Sequence, residues 1–85
     1  SNINTVENKY LIYPNPAKTE LSVSVDNNDF IEYISIYDLY GKELFNKNYS
    51  LVNSANISSG NISPGIYIID IKTKEKIYRQ KIVFE

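Results

Sequence analysis

The chain of 85 residues has no cysteine, histidine, methionine or tryptophan. Without cysteine, no disulfide staples the fold and no thiolate serves as nucleophile or metal ligand. Without histidine, the hydroxyls lack their usual base, and acyl transfer would have to rest on a lysine or a carboxylate. Positive charge is not in excess: nine Lys and Arg stand against ten Asp and Glu, for a formal net charge of -1. That balance argues against a surface tracking nucleic-acid phosphates. No apolar run approaches the ~20 residues of a membrane span, and no signal-peptide pattern opens the sequence. The expectation is a soluble module whose export signal, if it is exported, lies outside these residues. Apolar periodicity of 3.6 residues is also missing, which excludes an amphipathic helix.

Apolar residues do occur in short alternating or continuous runs separated by turn formers. The densest run is Ile66-Tyr67-Ile68-Ile69-Asp70-Ile71, introduced by Pro64-Gly65. Four of its six residues are isoleucine, which packs well on a pleated surface and loses rotamer freedom in a helix. Both side-chain sets are apolar, so the run reads as a central strand covered on both faces, with Gly65 in a tight turn. Tyr10–Tyr13 reads as a short strand stopped by Pro14-Asn15-Pro16, a stiff corner leading from one sheet toward another. Leu21, Val23 and Val25 alternate with serines and point inward. Asp26–Asp29 is a solvated polar turn, and Glu32–Asp38 alternates again.

Gly41 falls where a hairpin loop between Asp38 and Lys42 needs a positive φ. Glu43–Phe45 and Leu51–Ile57 read as further strands, the second weak and at an edge. A last strand spans Lys76–Phe84, with Tyr78, Ile82 and Phe84 favoured as its inner face. About seven strands with a turn every 8–12 residues predict an all-β fold, a small antiparallel β-sandwich of immunoglobulin-like type. Residues 1–9 read as a linker or cloning remnant, and 10–85 as the domain.

Three landmarks together resemble a known family. They are Ile12-Tyr13-Pro14-Asn15-Pro16, then Ile36-Tyr37-Asp38-Leu39-Tyr40-Gly41-Lys42, then Ser59-Gly60 through Pro64-Gly65-Ile66-Tyr67 ahead of a basic terminal strand. In order and spacing they resemble the type A C-terminal sorting domain of the type IX secretion system (Por secretion tail) of the Bacteroidetes, over about residues 10–85. The ending departs from the pattern, since Phe84-Glu85 stands where members often carry a basic tail. The resemblance implies a non-catalytic sorting signal for an upstream cargo, without cofactor or metal. Its implied partners are the outer-membrane translocon and a sortase-like cysteine protease that removes the domain. Its implied route is the periplasm in transit, then the cell surface or the medium. The motif residues to watch are Pro14, Asn15, Pro16, Gly41, Lys42, Pro64, Gly65 and Tyr67, with Arg79 and Lys81 as recognition charges.

The residues also leave room for a different class. Tyr33, Tyr37 and Tyr40 form an aromatic strip that suits sugar rings, as in a carbohydrate-binding or adhesive β-sandwich appended to an extracellular enzyme. The plainer expectation is that they cover the second face of the sandwich. Asp26 with Asp29 is the only close carboxylate pair outside a strand. It lacks the glycine and terminal glutamate of a calcium loop.

Overall fold

Alternation and β-branching produce strands throughout. In the computed structural model, which describes residues 10–26, 28–60 and 62–85, these residues form seven strands and no helix. The strands are β1 (Tyr10–Tyr13), β2 (Glu20–Val25), β3 (Ile31–Tyr37), β4 (Glu43–Val52), β5 (Ser54–Ser58), β6 (Gly65–Thr73) and β7 (Ile77–Phe84). They build two antiparallel sheets, ordered β1-β2-β5 and β4-β3-β6-β7. Between the sheets lies one apolar core, to which β2 gives Leu21, Val23 and Val25, and β3 gives Ile34 and Ile36. From β6 come Tyr67, Ile69 and Ile71, and from β7 Ile82 and Phe84, so the inner parity of the last strand is the expected one. The expected linker, residues 1–9, lies outside the described residues.

β6 sits inside its sheet between β3 and β7, with Ile69 fully buried. Its second apolar face is not covered, however. Ile66 is 46% exposed, because a two-layer sandwich shields only one side of each sheet. Tyr33 and Tyr37 share that outer face, half-buried by their neighbours rather than by a second layer, while Tyr40 lies in the β3–β4 loop and is 97% exposed. Tyr37 is in register with Ile68 and Tyr33 with Lys72.

Two boundaries differ from expectation. The segment Asn46–Ser50, too polar to read as a strand, continues β4 because an edge strand needs apolar residues on only one side. The weak strand at Leu51–Ile57 is in fact two. Leu51 and Val52 finish β4, Leu51 with φ 54°. The chain then crosses at Asn53 to begin β5 in the other sheet. A register shift between Ile31 and Tyr33 explains why Ile31 and Ile34, three apart, both point inward.

Candidate functional site

The sequence landmarks lie far apart in the chain, and the fold gathers them at one end. Gly65 pairs with Phe84 in the β6–β7 ladder, and Phe84 forms a parallel bridge with Ala17 on its other side. The Pro14-Asn15-Pro16 corner therefore joins β1 to β2 within one sheet, instead of leading the chain to another. It also reaches sideways to the edge of the second sheet. There the Asn15 Oδ1 accepts the Val83 amide at 3.1 Å. Ala17 donates to the Val83 carbonyl at 2.8 Å, and the Glu85 amide donates to the Ala17 carbonyl at 2.7 Å. Two prolines remove donors on either side of Asn15, and the asparagine side chain supplies the acceptor a strand neighbour would otherwise give. The result is a strap over the end of β7. Both X–Pro bonds of the corner are cis.

The Pro64-Gly65-Ile66-Tyr67 motif has an equally specific local cause. Gly65 is not at a turn apex but opens β6, with φ 155°. A Cβ there would sit 3.5–3.7 Å from the Tyr67 ring, since residues two apart share a face. That is ordinary contact, so it is the positive φ that calls for glycine here; the Tyr67 hydroxyl donates to the Ser63 carbonyl. A tyrosine near the start of the sixth strand, bonded to backbone a few residues upstream, is the tyrosine corner of immunoglobulin-like sandwiches. Phe84 meets the same ring edge-on, with centroids 5.9 Å apart.

The β3–β4 loop completes this end. The Asp38 Oδ1 accepts the amides of Tyr40 and Lys42, both at 2.9 Å, and Gly41 takes φ 90°. A cleft of about 450 Å³ runs from Asp38 and Phe45 to Ser59, Ile62 and Tyr67. A second, of about 400 Å³ on the outer face, joins Tyr37, Leu39, Gly41 and Ile68 to Arg79. We term this end the motif pole.

Arg79 is not a free charge. Its Nε and Nη2 donate to the two carboxylate oxygens of Asp70 at 2.7 and 2.8 Å, and this contact pushes the guanidinium further above its ordinary range. Asp70 is buried, as is Ser35, its neighbour in register on β3. Sequence reasoning passed over Asp70 as the lone polar residue of the core run. A turn centred on Lys74-Glu75 places it opposite Arg79, and that was the available signal. Lys81 is exposed on the same face.

At the opposite pole, Asp29 is buried rather than solvated, and its Oδ1 accepts the Phe30 amide at 2.8 Å. Among the described residues no group of three or more acidic, cysteine or histidine side chains is placed to hold a metal. No helix of these residues is long and apolar enough to cross a membrane.

By its division into sheets and its tyrosine corner, the molecule is an immunoglobulin-like β-sandwich whose landmarks converge on one pole. The family of secretion system C-terminal sorting domains matches residues 11–85. The chain belongs to that family, as a C-terminal sorting domain of type IX secretion. A comparison with curated proteins finds no match.

Proposed function

We propose that the domain is the address of a cargo that passes through the periplasm and is carried over the outer membrane by the type IX translocon. In this reading the translocon recognises the motif pole, and a sortase-like cysteine protease removes the domain at the surface. The domain performs no catalysis itself. The observation that carries the reading is the convergence of all three family landmarks on one pole, together with Lys81 near the end of β7. Tyr10, where the chain enters β1, pairs with Val25 at the opposite pole, and the long dimension of the molecule is 42 Å. Cargo joined ahead of β1 would leave the motif pole unobstructed.

The test is a fusion of the chain behind a folded reporter bearing an N-terminal signal peptide, in a host with the type IX machinery. Reporter at the surface or in the medium is expected; reporter held in the periplasm refutes the reading. Charge recognition is probed with Lys81→Gln. An exposed change of this kind alters stability by no more than about 0.5 kcal/mol. Arg79→Gln is a poor probe, because it strands the buried Asp70 carboxylate and so disturbs the fold as well as the charge.

A further inference from the structure

We propose that the open part of the β7 edge, from Ile77 to Lys81, is a strand-pairing site for an extended acidic segment of a partner protein; the proposal deepens the sorting reading and rests on it. Among the described residues the two sheets leave four edge strands, β1, β5, β4 and β7. β1 has four residues and runs into prolines, and β5 has only five. β4 is longer, but its ladder is broken by two register shifts and carries the positive φ of Leu51 one residue before its end. β7 differs, since eight consecutive residues pair with β6 without a shift. It offers the longest regular edge, the surface that strand addition uses.

The strap defines which part of that edge is free. The Val83 N–H and C=O and the Glu85 N–H point away from β6 and are taken by Asn15 and Ala17. Backbone direction repeats every second residue. The groups of Lys81, Arg79 and Ile77 therefore point the same way, and they meet no partner among the described residues. All three residues are exposed.

Charge selects the occupant. Five of the nine Lys and Arg side chains of the chain fall between Lys72 and Lys81. The Arg79 side chain stays 69% exposed while it holds Asp70, so it can meet a second carboxylate. Antiparallel pairing of two copies over the open segment would set Arg79 against Arg79 or Lys81, an arrangement that like charges disfavour. An extended segment with carboxylates at alternate positions meets the same cations favourably.

The experiment uses the 85-residue chain and the synthetic peptide Thr-Glu-Val-Glu-Val-Glu-Thr, with its lysine-for-glutamate counterpart as control. Amide hydrogen exchange is followed by NMR. At twice its Kd the acidic peptide should slow exchange at Arg79 and Lys81 about threefold, the factor that mass action gives, and leave the amides of β4 unchanged. Lys81→Pro removes the outward N–H but no ladder bond to β6, a change that an edge strand tolerates. It should abolish the slowing at Arg79 while the melting temperature holds. The proposal is overturned by no slowing up to millimolar acidic peptide, by equal slowing with the lysine peptide, or by full binding to Lys81→Pro. In cells, normal export of a Lys81→Pro fusion overturns this proposal and leaves the sorting reading standing. Failure of the unaltered fusion to export refutes the sorting reading itself.

Discussion

The two poles of the sandwich are built by different means. At the motif pole the chain is held by the strap on Val83 and Glu85, by the Asp38 carboxylate on the Tyr40 and Lys42 amides with Gly41 at a positive φ, by the positive φ of Gly60, and by the Tyr67 hydroxyl on the Ser63 carbonyl. At the other pole ordinary polar side chains close the turns. The Thr73 Oγ1 accepts the amides of Glu75 and Lys76 at 3.2 and 2.9 Å. Asn53 donates from its Nδ2 to the Asp29 carbonyl at 2.7 Å, and the rings of Tyr10 and Tyr78 lie 4.5 Å apart across the open side. A turn closed by a side chain alone, with no glycine at a positive φ as in the Asp38–Lys42 turn, accepts Ser, Thr, Asn or Asp with little difference, so it leaves no recognisable signature. A glycine at a positive φ, or an asparagine between two prolines, has few substitutes. That is why the landmarks mark one pole only.

The largest expected difference between the poles lies in their tyrosines. Tyr67→Ala removes a buried ring and its bond to Ser63, and should cost about 3–5 kcal/mol. Against a total stability of about 5–15 kcal/mol, that threatens the fold. Tyr10→Ala removes one half-exposed partner of a ring pair, worth about 1–2 kcal/mol. Urea unfolding of the two variants checks the ranking, and equal losses would break the comparison.

A finer test separates two glycines within the motif pole. Gly65→Val combines an unfavourable φ with methyl groups pressed toward the Tyr67 ring, for a loss of about 1–3 kcal/mol. Around Gly41 no described residue beyond its chain neighbours lies within 4 Å of an added Cβ, so Gly41→Val meets only the backbone penalty, about 1–2 kcal/mol. Thermal melts that rank Gly41→Val as the more damaging would remove the packing role assigned to Gly65.

These contrasts also show what the sequence made legible. The strands at Glu20–Val25 and Gly65–Thr73 were plain, because each shows a uniform apolar face over at least three positions. The split of Leu51–Ile57 was not, since whether Val52 and Ala55 belong to one sheet or two depends on where β3 and β2 wait to receive them. Asn15 was legible as part of a corner, but its hold on Val83, 68 residues away, is a property of the closed sandwich. Arg79 read as a free charge because its partner Asp70 was hidden in an apolar run. The uncovered face of β6 is the opposite case. Apolar composition pointed to cover on both sides, and the fold leaves Ile66 in the open.

The smallest expected effect belongs to the pole without landmarks, and it appears in alkali. The Tyr78 hydroxyl is pushed above the ordinary tyrosine range by burial, then by the negative charge of Asp29, Asp26, Tyr10 and Glu75. Burial alone raises Tyr49 on β4, whose buried hydroxyl has no hydrogen-bond partner among the described residues. For both groups the folded chain resists losing the proton. Above about pH 10, where an unfolded tyrosine ionises, the unfolded state binds fewer protons than the folded one, and stability falls as pH rises. The stability associated with the neutral hydroxyls is thus complete below that pH and lost as pH climbs toward the raised folded values. Tyr49→Phe with Tyr78→Phe should flatten this decline. Urea midpoints between pH 8 and pH 11 make the measurement. A decline that persists in the double variant would move the alkali-sensitive groups away from this pole.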